Sequence, residues 1–171
     1  MFRMSFNVDG EQQMQRFLDL AADSVNDFST VFDKLADEFR QSQEQVFANS
    51  GAFEGRSGWR KLSPNYRKWK SQHYPGKPIL TLRGDLRKSL TQKGGNHIER
   101  ITANSMVIGT KDKKAVWHHR GTSKMPKRKV IELTEPQKRR WVQIAHTEIF
   151  ENLMSPNERT AHRRGLTPGR R

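Results

Sequence analysis

Ile79-Leu80-Thr81-Leu82-Arg83-Gly84-Asp85-Leu86 lies at the centre of the stretch, from Gly58 to Gly121, that decides the fold. Apolar and glycine positions continue on both sides of this segment. They are Trp59, Leu62 and Tyr66 before it, and Leu90, Ala115, Trp117, His118 and Gly121 after it. Such residues pack cores and form turns, and they contain no recognisable catalytic or metal-binding pattern. The stretch therefore predicts a structural scaffold.

Short helices and strands are expected within this stretch. Ser63-Pro64 favours a helix start, because serine caps helices and proline fits the first helical position. Residues 85–90 suggest another short helical turn. Three short apolar segments, at 97–102, 105–109 and 115–118, predict an antiparallel meander, to which 130–133 could return.

The flanking regions predict the rest of an α+β fold. Alternating apolar residues predict a strand over 2–8, and apolar residues at helical spacing predict one helix from Glu11 and a long second one over 27–49. A C-terminal helix is expected from Thr134 to about residue 154. One domain is expected over 1–154. It would consist of a small antiparallel sheet packed by long N-terminal helices and a C-terminal helix. This domain comprises a strand and helical part (1–49) and the region 58–154, and a basic tail follows at 155–171.

Composition limits the class of protein. The chain has 171 residues, of which 33% are apolar and 29% charged, so one modest domain is expected. With no cysteine, disulfides, thiolate catalysis and cysteine-ligated zinc are excluded. There is no apolar run near 18 residues and no secretory-signal pattern, which predicts a soluble protein, made in the cytoplasm, without membrane contact.

The net charge of +14 is unevenly distributed along the chain. Residues 1–55 contain 4 Lys/Arg and 10 Asp/Glu, a net charge of −6, whereas 56–171 contain 28 and 8, a net charge of +20. Such a division favours either binding to a polyanion or head-to-tail contact between copies of this chain.

Catalytic, metal and cofactor sites have little support. Adjacent histidines on a strand, as expected for His118-His119, would point to opposite faces, and no third ligand has a suitable spacing. The acids of a nuclease-type cluster would be Asp85, Asp112, Glu132 and Glu135, but each has a simpler interpretation as a turn, helix-start or solvated residue. We therefore expect neither a cofactor nor enzymatic activity, and a nuclease is the weakest of the functional hypotheses.

Aromatic and cationic residues alternate between Trp59 and Lys70, an arrangement that single-strand binders use for base stacking and phosphate pairing. The spacing of Trp59, Leu62, Tyr66 and Trp69 also matches one face of a helix, which favours core positions for Trp59 and Tyr66. A basic nucleic-acid-binding protein using this segment is the alternative hypothesis.

The central stretch resembles the virion morphogenesis, or tail completion, family of tailed bacteriophages, of the Mu-like type and related to head-tail joining proteins. The resemblance is carried by three sets of residues. They are Trp59, Leu62, Ser63, Tyr66 and Lys70; Ile79, Leu80, Gly84, Leu86, Ser89 and Leu90; and Ala115, His118, Gly121, Pro126, Arg128, Ile131 and Leu133.

This resemblance implies a non-enzymatic structural protein of the virion neck or tail top, assembled in the host cytoplasm. Such proteins form rings, often of six copies, that cap the tail tube and dock it to the head connector. The expected partners are other copies of the chain, the tail tube protein and the connector or adaptor proteins. Candidate contacts to neighbours or to DNA in the channel are Lys113, Lys114, Arg120, Lys124, Lys127, Arg128, Lys129, Arg163 and Arg164.

Overall fold

The computed structural model describes residues 27–153 and the side chains of 27–151. Over that range there are five helices and one two-stranded antiparallel sheet, which confirms the α+β class. The helices are α1 (Ser29–Ala48), α2 (Pro64–His73), α3 (Asp85–Thr91), α4 (Lys113–Arg120) and α5 (Glu135–Leu153), and the strands are β1 (His97–Thr102) and β2 (Ser105–Thr110). None of these helices is long and apolar enough to span a membrane.

Helix α1 confirms the long helix predicted over 27–49 and forms the centre of the packing. Its apolar residues recur at helical spacing, and Val31, Leu35, Phe39, Val46 and Phe47 are all buried. The helix contacts α3, α5 and both strands. At its C-terminal end, the ring of Phe47 packs edge-on against Trp59, with ring centroids 5.3 Å apart.

Strands β1 and β2 confirm the first two segments of the predicted meander. They pair from His97 with Thr110 to Thr102 with Ser105, around a turn at Ala103-Asn104. Helix α5 likewise begins where it was predicted, and the Thr134 hydroxyl accepts a hydrogen bond from the backbone N–H of Gln137 at 3.3 Å.

The third and fourth predicted strands are wrong. Residues 115–118 belong to α4, because the Asp112 carboxylate accepts the backbone N–H of Lys114 at 2.9 Å and so caps a helix. Gly121 ends this helix with φ +76°, where a Cβ would lie 2.9 Å from the backbone nitrogen of Lys127. Residues 130–133 do not form a strand and pair with neither β1 nor β2, although Val130 is buried in the core.

The core lies between the C-terminal half of α1, α3 and the loops around them. Its buried members include Phe47, Trp59, Leu86, Leu90 and Val130. The Trp59 indole N–H donates to the Lys129 carbonyl at 2.8 Å, so this side chain joins the chain before α2 to the loop before α5. Three predicted elements lie outside the described residues: the strand over 2–8, the helix from Glu11 and the tail at 155–171.

Candidate functional site

One groove of about 1120 Å³ collects residues from three separate parts of the chain. The first part is 60–70, around the start of α2, the second is the turn 80–86 before and into α3, and the third runs from α4 to Arg128. Apolar side chains from these parts are Leu62, Leu80, Leu82, Leu86, Met125 and Pro126, and the cations are Arg60, Lys61, Lys70, Arg83, Lys114, Lys124 and Arg128. The groove thus combines an apolar and a strongly basic lining.

Helix α2 forms one wall of the groove and is held by Lys70. The helix starts at Pro64, as predicted, although the Ser63 side chain makes no capping hydrogen bond. Lys70 is buried and its ammonium donates to the Pro78 carbonyl at 2.5 Å. Burial lowers the pKa of Lys70, because the charged ammonium is partly removed from water.

The turn before α3 brings Leu80, Leu82 and Leu86 to the groove through two residues with positive φ. Leu80 has φ +64°, and Gly84 has φ +87° at the N-cap of α3. A glycine suits position 84, because residues with a Cβ are strained at positive φ. The leucines that line the groove therefore come from both sides of the turn at Gly84.

Arg128 connects the third part of the groove to the first. The Arg128 guanidinium is buried and donates to the carbonyls of Arg60 at 2.9 Å and Lys61 at 3.3 Å. Its backbone N–H donates to the His118 carbonyl at 2.7 Å. Burial lowers the pKa of Arg128, and the nearby positive charge of Arg60 lowers it further.

His118 lies on α4 and faces the groove, with a buried Nδ1 that has no hydrogen-bond partner among the described residues. Burial lowers the pKa of His118, and the charges of Arg128 and Lys114 act in the same direction against the opposing effect of Asp112. The lowered pKa favours the neutral form of the imidazole. Because α4 is a helix, the expectation that His118 and His119 point to opposite faces of a strand is wrong.

Positive charge in the groove is almost unneutralised. The single acid in its lining is Asp85, which pairs with Lys114 at 3.4 Å. Between residues 27 and 153, no carboxylate lies within ion-pairing distance of the other six cations. The groove is consequently suited to an occupant that carries negative charge.

The predicted site residues divide into groups. Those lining the groove are Leu62, Tyr66, Leu80, Gly84, Leu86, Lys114, His118, Lys124 and Arg128. Trp59 and Leu90 are in the core instead, Gly121 ends α4, and Lys113, Arg120, Lys127 and Lys129 are exposed away from the groove. Arg163 and Arg164 lie outside the described residues. Sequence reasoning did not assign Leu82, Arg83, Ser123 and Met125 to the site, since only the fold brings their short segments together.

Tyr66 corrects a prediction about the core. It is 41% exposed and stacks on Trp69, itself 40% exposed, with centroids 5.5 Å apart; Trp69 in turn stacks on His73 at 4.9 Å. The helical spacing from Trp59 to Trp69 misled because α2 begins only at Pro64, so Trp59 and Tyr66 are not on one helix face. The interpretation of Tyr66 as a core residue is wrong.

The acids considered for a nuclease cluster have separate structural roles. Asp112 caps α4, Glu132 pairs with Lys129 and lies 3.8 Å from Arg56, and Glu135 pairs with Lys138 at 2.7 Å. Within residues 27–153 there is also no group of three or more His, Asp or Glu side chains that could hold a metal ion. The described geometry offers these acids no shared chemistry.

Comparison with models of known protein families gives a match. The model of the phage virion morphogenesis family matches residues 9–150, which includes every residue that lines the groove. No curated protein and no solved structure matches the chain.

Proposed function

Because the chain belongs to the phage virion morphogenesis family, we propose that it is a tail-completion or head-tail joining component of the phage neck. In this proposal several copies, six in the simplest case, close into a ring that caps the tail tube. The ring then presents a surface to the head connector that the single copy lacks. As a member of this family the protein acts in building the virion, and the neck position and the ring are the parts that we propose.

The groove is the observation that carries the proposal. Nine of the residues that the sequence singled out, spread from Leu62 to Arg128, line this one surface. A ring requires a heterologous interface, in which one surface of each copy meets a different surface of the next. A basic and partly apolar groove supplies one of the two surfaces.

Intramolecular ion pairs limit which acidic residues can form the second surface. Six acidic residues lie between 27 and 55, and four of them pair with an arginine of the same chain. These four are Asp37 with Arg40, Glu44 with Arg87, and Glu38 and Glu54 with Arg140. Most acidic residues of this part of the chain are therefore already paired within their own copy, and few are left for a neighbouring copy.

Electron microscopy and native mass measurement of the purified full-length protein test the ring. We expect a closed oligomer, alone or on isolated tail tubes, and tails that lack the protein should regain attachment to heads when it is added. A protein that stays monomeric at high concentration and in the presence of tail tubes would contradict the proposal.

A second candidate function is single-stranded nucleic-acid binding, which the exposed stack of Tyr66, Trp69 and His73 favours. Trp69→Ala with Lys68→Ala should then weaken single-strand affinity with little loss of stability. A control is Phe150→Ala with Lys138→Ala, which removes from α5 one cation and an aromatic ring that is more exposed than Trp69, at 59% against 40%. Equal affinities of parent, test and control variants would remove this candidate.

A further inference from the structure

We infer that the groove binds the acidic N-terminal segment, residues 9–23, of a second copy of the chain. This inference rests on the proposed ring and assigns the two surfaces that meet in it. It follows from the charge and lining of the groove, from the sequence of the segment and from the position of α1.

The lining of the groove selects a polypeptide occupant that is both acidic and apolar. Four cations of the lining, Arg60, Lys61, Arg83 and Lys124, are exposed and have no carboxylate partner among the described residues, so the groove favours negative charge. The partly exposed leucines at 62, 80 and 82 favour apolar side chains, which a nucleic-acid backbone does not provide. The volume of about 1120 Å³ also exceeds the range of roughly 300–1,000 Å³ usual for small-molecule pockets.

Residues 9–23 of the chain combine these properties. Their sequence is Asp-Gly-Glu-Gln-Gln-Met-Gln-Arg-Phe-Leu-Asp-Leu-Ala-Ala-Asp. It contains four carboxylates and one arginine, a net charge of −3, together with Met14, Phe17, Leu18 and Leu20. The family match also begins at residue 9, so this segment belongs to the same family unit as the groove.

The position of α1 favours a contact between copies. The start of α1 lies beside the turn between β1 and β2, where the Phe28 N–H donates to the Ala103 carbonyl at 2.8 Å. Its last turn packs on Trp59, which directly precedes the groove residues Arg60 and Lys61. With 20 residues, α1 is about 30 Å long, so the segment joins α1 at the end that is far from the groove.

Chain length keeps the C-terminal end of this segment near the start of its own α1. From Asp23 to Asp27 the chain spans at most about 14 Å, less than half the length of α1. Asp23 therefore stays in the half of its own copy where α1 begins, and docking of the whole segment, Asp23 included, favours the groove of another copy. A segment at one end of α1 and a groove near the other end form a head-to-tail pair of surfaces, which is the arrangement that generates a ring.

A charge-reversal cycle on the full-length protein tests the inference. Lys61→Glu with Lys124→Glu reverses two exposed groove cations, and Asp19→Lys with Asp23→Lys reverses two acids of the segment. Each pair alone should weaken self-association, measured by sedimentation, at least about tenfold, because like charges then oppose each other. All four changes together should restore most of the lost affinity.

The control is Lys77→Glu with Lys111→Glu, which makes the same charge change at exposed positions outside the groove and should leave association near that of the parent. If circular dichroism shows that a charge-reversed groove variant does not fold, Lys61→Gln with Lys124→Gln replaces it. The expected loss of self-association affinity is then smaller. A ring that forms equally well with the groove reversed would overturn the inference and leave the proposed function standing. Loss of nucleic-acid binding with unchanged association would also overturn it, whereas a monomeric parent protein would remove the proposed function itself.

Discussion

Gly84 shows how a single backbone conformation can shape this groove. It precedes α3 with φ +87° and ψ −3°, and a Cβ built there would meet nothing within 4 Å. The sequence predicted a glycine-dependent turn here, and the positive φ explains the need for it. The cost of a side chain at this position is therefore backbone strain alone, without a steric clash.

Gly84→Val should lower the free energy of unfolding by about 1–3 kcal/mol, because a β-branched residue is strained in the left-handed region. Chemical denaturation measures this change. Gly109→Val is the matched control, since Gly109 also has open space around it but lies in β2 without a positive φ, where valine is favourable. Equal stability of the two variants would contradict the role assigned to Gly84.

Glu99 predicts an acid-sensitive link between β1 and α1. Burial raises the pKa of Glu99, but hydrogen bonds from Lys93 and His97 and the charges of Arg40 and Lys93 outweigh this and hold the pKa below its usual value. A carboxyl with a lowered pKa in the folded state stabilises the protein above the unfolded-state pKa, and this stabilisation is lost as the pH falls through the folded-state pKa. Glu99→Gln should therefore reduce stability at pH 7.

The pH dependence separates this effect from a simple loss of packing. The difference in unfolding free energy between the parent and Glu99→Gln should shrink as the pH falls from about 5 to about 3. Denaturant titrations at several pH values give this difference. A gap that stays constant down to pH 3 would show that ionised Glu99 contributes nothing specific.

At the scale of elements, the sequence predicted the helices with clear start and stop signals and failed where signals were short. The apolar stripe of α1 and the capped start of α5 were sufficient for correct predictions. Residues 115–118 contain valine and tryptophan in a run too short to separate strand from helix by periodicity. The capping residue Asp112, three positions earlier, was the signal that could have decided for a helix.

Asp112→Ala should destabilise the protein by about 1 kcal/mol, because the Lys114 N–H would lose its capping acceptor. Asp112→Asn keeps a good capping group and should cost less. Denaturation midpoints of the two variants measure the difference. If both lose the same stability, the charge of Asp112 near Lys114 matters more than the cap.

At the scale of the molecule, the groove could not be predicted because three short segments form it. The buried side chains of Arg128 and Lys70 donate to backbone carbonyls and so hold these segments together. Local periodicity in the sequence does not reveal such contacts. The uneven charge along the chain was visible in the sequence. Which of these charges pair with each other in the folded chain was not. Within 27–55 the acids mostly pair inside the chain, while the groove cations other than Lys114 find no carboxylate between 27 and 153.

Self-association should therefore depend strongly on salt. The groove cations act on an exposed surface, where the Debye length falls from about 8 Å at 0.15 M ionic strength to about 3 Å at 1 M. We expect the full-length protein to dissociate measurably over this range in sedimentation experiments, while its thermal unfolding changes little. Association that persists or strengthens at 1 M salt would instead identify apolar contact as the dominant force, and the exposed side chains of Val116 and Trp117 on α4 and of Val142 and Phe150 on α5 would be the residues to substitute.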